Sequence, residues 1–141
     1  MKKITVVSLG PGPRELMTLG AVDALKKAEK IILRTVNGDV CILPHHIDYA
    51  VPLAIGEAKV TDGQGNTRLA ACNNGMLSVH GNEVRVVAVT FEWADDIDLE
   101  RARRAEESAK EMLDKLKRED VDFSVAEARL KRALTRIQVK G

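Results

Sequence analysis

Aromatic side chains are scarce: one Trp, one Tyr and two Phe make up 3% of the 141 residues. Any core must therefore be aliphatic, built from Val, Ile, Leu and Ala. Cysteine is nearly absent too. Cys41 and Cys72 stand alone, with no C-x-x-C pair and no disulfide framework, and read as reduced thiols of a cytosolic protein. No run approaches the roughly 18 apolar residues a membrane span needs. The N-terminus carries two lysines and a short apolar run broken by Ser8, which is not the pattern of a signal peptide. Membrane association is thus expected to run through a partner. The formal net charge of +1 lacks the basic excess of a general nucleic-acid binder.

One absence is local. Between residue 95 and Lys140 there is neither Gly nor Pro, while all four prolines and all glycines but the last lie before residue 95. That shift divides the chain into a turn-rich part, residues 1–94, and a helical part, residues 95–141. A chain of this length buries a core without metal or disulfide staples, and its 45% apolar and 30% charged residues are those of a globular protein.

The turn-rich part opens with an apolar strand, Ile4-Thr5-Val6-Val7, running into Gly10-Pro11-Gly12-Pro13. Leu16, Leu19, Val22, Leu25 and Ala28 then recur every three residues and predict a helix over 14–30. Short strands follow. Lys30 to Arg34 turns at Asn37-Gly38-Asp39, a hairpin signal; Val40 to Leu43 stops at Pro44; Leu53 to Val60 alternates. After the loop Asp62-Gly63-Gln64-Gly65-Asn66 come a strand over 68–72, a turn at Asn73-Asn74-Gly75, a strand over 76–79 and a last one over 84–91. Strands at this spacing predict an all-β sandwich or barrel.

The helical part reads as two helices. Acidic Asp95, Asp96, Asp98 and Glu100 begin the first, and Lys115, Lys117 and Arg118 end it, as the helix dipole favours. Ala102, Ala105, Ala109, Met112, Leu113 and Leu116 form its stripe. Ser124-Val125-Ala126-Glu127 has the form of a capping box for the second, whose stripe is Ala126, Leu130, Ala133, Leu134 and Ile137. A five-residue break predicts an antiparallel hairpin, and alanine seams let such helices approach closely. The expected fold is an N-terminal all-β sandwich followed by a C-terminal antiparallel α-helical hairpin.

The run Gly38-Asp39-Val40-Cys41-Ile42-Leu43-Pro44-His45-His46 resembles the G-[DE]-x-G-I-L-P-x-H signature of the epsilon subunits of F-type ATP synthases, with Cys41 where that family has glycine. The likeness continues through Pro52 to Gly56, Asn74 to Val79, Asp95 to Asp98 and Ala128 to Arg136, about residues 32–141. The resemblance implies a ten-strand sandwich and a helical hairpin. It implies a non-catalytic rotor component that couples catalytic head to c-ring and restrains ATP hydrolysis. Implied partners are the gamma subunit, the c-ring and the alpha/beta subunits, at the cytoplasmic face of a bacterial membrane. Residues 1–31 depart from that family: Gly10 to Gly20 resembles instead the start of a tetrapyrrole methylase, an S-adenosylmethionine enzyme. A methylase-like fragment, or a β-plus-hairpin interaction module, is therefore the competing reading. Against the methylase, residue 38 onward supplies none of the further strand-helix units its domain needs.

Ile97-Asp98-Leu99-Glu100-Arg101-Ala102 is similar to the family's I-D-x-x-R-A motif, which in some bacterial members binds ATP. Spacing alone reads it as a helix cap with an Asp-Arg pair. The resemblance implies a regulatory ATP site, with no catalytic cofactor. There Asp98 accepts from adenine or ribose, Arg101 meets phosphate or base, and Ile97 and Ala102 form apolar walls. Glu92 matches another family contact, and Arg132 and Arg136, four residues apart on one helix face, reach the phosphates. Ser108 stands where some ATP-binding relatives have arginine. The basic run from Arg129 to Lys140 reads either as a solvated face or as a contact for an acidic segment of the catalytic subunits. His45 and His46 read as loop residues with no metal set around them, and Trp93 as packing where sandwich meets hairpin.

Overall fold

The computed structural model describes residues 28–81 and 83–141, together with the backbone of residues 3–8. Seven strands are seen: β1 (Lys3–Ser8), β2 (Ala28–Thr35), β3 (Gly38–Ile42), β4 (Tyr49–Leu53), β5 (Gly56–Asp62), β6 (Thr67–His80) and β7 (Glu83–Trp93). A 3-10 turn, Ala94–Asp96, leads to helices α1 (Leu99–Lys115) and α2 (Val121–Lys140). The strands form one hydrogen-bonded sheet that folds over on itself, in the order β1-β7-β6-β4-β2-β3, with β5 closing between β2 and β6. The Ile4–Val7 strand of the sequence reading is β1, and it pairs parallel with β7 from Lys3 opposite Glu83 to Ser8 opposite Ala88.

Alternation builds the core. Val51 and Leu53 on β4, Ala58 and Val60 on β5, and Val84, Val86 and Ala88 on β7 point inward, while their neighbours face out. They meet Ile31 and Leu33 of β2 in an aliphatic cluster closed at one end by Trp93. Trp93 thus lies in the sandwich core, edge-on to Phe91 at 5.2 Å and capped by the Arg68 guanidinium at 4.2 Å from its ring centre, not in the cluster that joins sheet to helix.

The two long strands let one sheet make two layers. β6 pairs with β5 through residues 67–72 and with β4 through residues 75–79, in a common register. Between them Asn74 (φ 41°) and Gly75 (φ 133°) reverse the inward alternation, from Ala70 and Cys72 to Leu77 and Val79. The expected turn at Asn73-Asn74-Gly75 is therefore a kink inside one strand, since β7 keeps one register on both sides of Asn74. A Cβ on Gly75 would sit 1.8 Å from the Val87 carbonyl oxygen, so only glycine lets β7 pass this close.

Other expectations shift as well. The hairpin loop is Val36–Asn37, and the positive φ falls on Gly38 (110°), where the Thr35 hydroxyl donates to the Gly38 carbonyl at 2.6 Å. In the 62–66 loop, Asp62 accepts from the Asn66 side chain and from the Asn66 and Gln64 backbone N–H groups, which hold its carboxyl below the ordinary value. Most of the helix read over 14–30 falls outside the described residues. Its last three, Ala28 to Lys30, begin β2, because pairing with Thr61 and Asp62 of β5 satisfies their backbone.

Asp98 caps α1, its carboxylate accepting the Arg101 backbone N–H at 3.1 Å. The second helix starts before the expected capping box. Asp120 accepts the Lys117 N–H at 2.8 Å and organises the break, so the helix begins at Val121 and Ser124 lies within its first turn, donating to the Val121 carbonyl. The hairpin seam consists of methyl groups: Ala102 and Ala109 on α1, Ala126 and Ala133 on α2, all buried. Ala105 and Leu134, read into the stripes, are exposed. Among the described residues no helix is long and apolar enough to cross a membrane.

Candidate functional site

β6 is buried on both faces near its middle. Ala70 and Cys72 face the sandwich core, while Ala71 packs with Ile97 and Val139 in a second cluster, flanked by Leu69 and Ala94. That cluster seats the C-terminal end of α2 on the sheet. Lys140 reinforces it by donating to the Asp95 carbonyl at 3.3 Å. Ile97 is thus a structural anchor of the hairpin, and Ala102, one turn into α1, belongs to the helix seam.

Glu92 and Arg136 meet across the same junction, the Arg136 Nε donating to the Glu92 Oε2 in a half-buried ion pair. Glu92 is cross-strand partner of Ala71, so the pair lies beside the anchor cluster. One turn back along α2 is Arg132. Arg132, Thr135 and Arg136 roof a shallow cleft of about 10 Å³, room for about one water, whose floor and walls are Ile55, Ala71, Cys72, Asn73 and Thr90. Arg132 makes no hydrogen bond or ion pair with any described residue. Burial pushes the Cys72 thiol up to about 12, so this floor stays uncharged at neutral pH.

The sequence-predicted residues therefore fall into two groups. Glu92, Arg132 and Arg136 share the cleft or its rim. Asp98 and Arg101 sit at the start of α1, which the antiparallel hairpin places beside the end of α2, but no hydrogen bond or ion pair joins them to the first group. Asp98 serves as the cap, and the expected Asp98–Arg101 side-chain pair is not formed: only the Arg101 backbone N–H is bound. The exposed Arg101 guanidinium stays open to solvent.

Sequence reading missed Asn73 and Thr90. Asn73 looked like a turn residue, yet it is 6% exposed, opposite Thr90 on β7, with its Oδ1 unpartnered in the wall of the cleft. The available signal was its spacing of two from Ala71, which puts both on the helix-facing side of β6. His45 and His46 lie in the loop after β3, where a His46 ring nitrogen meets the Ile47 carbonyl at 2.8 Å.

Two family descriptions together match residues 21–141. The β-sandwich domain of the ATP synthase delta/epsilon chain matches residues 21–94, and the long α-helix domain of the same chain matches residues 95–141. The chain belongs to the ATP synthase delta/epsilon family. Similar members include the ATP synthase epsilon chain of Halalkalibacterium halodurans, 37% identical over 113 residues, covering 80% of this chain and 84% of that one. The epsilon chain of Geotalea daltonii is 39% identical over 127 residues, covering 90% and 91%. The sodium-ion-specific epsilon chain of Propionigenium modestum is 35% identical over 126 residues, covering 86% and 90%. In fold, the delta/epsilon member resembles a chain of the Euglena gracilis mitochondrial ATP synthase OSCP/F1/c-ring structure, with TM-score 0.71, 19% identity and coverage of 96% and 79%. The family's sandwich-plus-hairpin architecture is thus the one read from the sequence. Where the resemblance implied ten strands, seven are present among the described residues. The Gly10-Pro11-Gly12-Pro13 loop lies outside both the described residues and the family match.

Proposed function

We propose that this chain is the non-catalytic epsilon subunit of a rotary ATP synthase. It sits on the central stalk and binds the gamma subunit and c-ring through its sandwich. Its hairpin acts as a brake on ATP hydrolysis by contacting the alpha/beta subunits. The subunit is peripheral, held at the cytoplasmic face of a bacterial membrane by its partners. Family membership and the epsilon chains it resembles support this reading.

The hairpin's regulatory ligand is ATP, bound to the folded-down form. The observation that carries this is the pairing of an open cationic face with a closed hairpin. Arg132 is unpaired at the cleft beside the Glu92–Arg136 bridge, and Arg101 is free at the adjoining helix start. With room for about one water, about 10 Å³, the cleft is far smaller than the roughly 300–1,000 Å³ of enclosed ligand sites. The phosphate end lies over its mouth, against the arginines, while base and ribose lie across the exposed start of α1 against Asp98. A guanidinium pair suits phosphate oxygens. Because the site combines both hairpin helices with the sheet they fold against, ATP binds the folded-down form alone. It shifts the population toward it by its differential affinity and no more, about 2.7 kcal/mol at 100 times Kd.

Calorimetry on the purified chain tests the site. ATP binding is expected to weaken at least tenfold in both Asp98→Ala and Arg101→Ala. Unchanged affinity in both removes the ATP site. Co-purification with the gamma subunit tests the assembly independently of nucleotide.

A further inference from the structure

We propose that the cleft is a binding site for one water, trapped where α2 docks on the sheet, and that this water ties Asn73 to the hairpin as a latch of the docked form. The proposal is independent of any nucleotide.

Asn73 supplies the need. It is 6% exposed, and its Oδ1 has no partner among the described residues. A buried acceptor without a donor destabilises the state that buries it. The cleft it lines has room for about one water and nothing larger. A buried water takes about two to four polar partners, and the lining offers them from both sides. Asn73 and Thr90 are cross-strand partners on β6 and β7. Arg132 and Thr135 come from α2.

The chemistry of these groups fits the protons and lone pairs of a single water. Asn73 Oδ1 accepts. Thr135 Oγ1 gives its own proton to the Lys131 carbonyl at 2.8 Å, so toward the cleft it accepts as well. The Arg132 guanidinium and the Thr90 hydroxyl bond no described residue and are left to donate. The Arg136 Nε is already committed to Glu92. A trapped water thus donates to Asn73 and Thr135 and accepts from Arg132 and Thr90. An anion does not suit the same place, because Oδ1 and Oγ1 both present lone pairs to it.

Docking creates the site. With α2 away from the sheet, each of these groups meets bulk water. With α2 down, a dry cleft would leave Asn73 desolvated and set it against docking. The bridge reverses that sign. It satisfies Asn73 and joins β6 and β7 to α2 with nearly the enthalpy of a direct hydrogen bond. It lies beside the Glu92–Arg136 pair, so an ion pair and a water hold the hairpin here together.

Amide hydrogen exchange on the full chain without nucleotide tests this, in wild type, Asn73→Leu, Thr135→Val and the double variant. Each single variant removes one anchor of the water and is expected to speed α2 exchange about fivefold relative to β4. The double variant should be no faster than the faster single, since both act through one water. Slower exchange in Asn73→Leu would mean a dry cleft relieved of its orphan, and overturns the proposal. So do effects that multiply in the double variant, or no effect in any. Should Asn73→Leu disturb β6 itself, a high-resolution crystal structure of the wild-type chain decides. One water should lie within hydrogen-bond distance of Asn73 Oδ1 and of an α2 side chain. An Oδ1 bonded directly to a protein group, or no water at that position, overturns the proposal.

Discussion

Arg136 on α2 donates to Glu92 on β7, 44 residues away in sequence, and this is the one ion pair between sheet and helical hairpin among the described residues. Beside it the junction holds a small apolar cluster of Ala71, Ile97 and Val139 and the exposed Lys140 hydrogen bond to the Asp95 carbonyl. A hairpin held by so little polar and apolar contact is suited to leave the sheet, which is the physical basis for reading it as a two-state element.

Breaking that bridge should loosen the hairpin more than it destabilises the whole protein. Both side chains are partly exposed, so screening limits the loss in either Glu92→Gln or Arg136→Ala to about 1 kcal/mol. Hydrogen exchange should rise across residues 99–140 while the β6 and β7 amides stay protected. Equal loosening of sheet and hairpin would contradict a separable hairpin.

Gly75→Ala should be far more damaging than its size suggests. The added carbon would meet the Val87 carbonyl at 1.8 Å and sit at a φ of 133°. A loss of about 3 kcal/mol is expected in denaturant unfolding, with the sandwich and not the hairpin giving way. An unchanged midpoint would mean that β6 and β7 separate freely there.

These two positions mark what the sequence made legible and what it did not. The sandwich-then-hairpin order was visible because Gly and Pro stop at residue 95 and two periodicities follow one another. Gly75 was visible as a punctuating residue, but its neighbours could not reveal that β7 runs past it unbroken; that pairing is long-range. Ser124 and Glu127 satisfied a capping pattern, but the helix starts three residues earlier, at Val121, after a turn in which the Asp120 carboxylate accepts the Lys117 N–H. Glu92, Arg132 and Arg136 came from resemblance, and the hairpin's docking brings them to one junction. Asn73 was hidden because a buried asparagine facing a helix looks, in one dimension, like a turn asparagine.

The alanine seam predicts a sharp size limit. Ala133 is buried between the helices, and Ala133→Leu should overpack it at a cost of about 1–3 kcal/mol. The expected signature is loss of helical signal at a lower temperature than the sheet melts, followed by circular dichroism. A single unshifted transition would show that the seam has slack.

The two cysteines should behave oppositely. Cys41 is exposed and Cys72 buried with its thiol pushed up to about 12. At pH 8 a maleimide should label Cys41 alone. The native state keeps the Cys72 proton above the thiol's ordinary value of 9.0, whereas the unfolded chain gives it up. The stability this contributes is therefore present below pH 9 and lost as pH rises toward about 12. Cys72→Ala should flatten that alkaline decline in thermal unfolding; an identical decline would assign it elsewhere.

The most direct test of the whole account is the ATP dependence of hydrolysis by a reconstituted catalytic head carrying gamma and this chain. With the wild-type chain, hydrolysis should be restrained at low ATP and released as ATP folds the hairpin down. With Arg101→Ala or Arg132→Ala, the restraint should persist to at least tenfold higher ATP. Superimposable curves for wild type and both variants would contradict a hairpin governed by ATP.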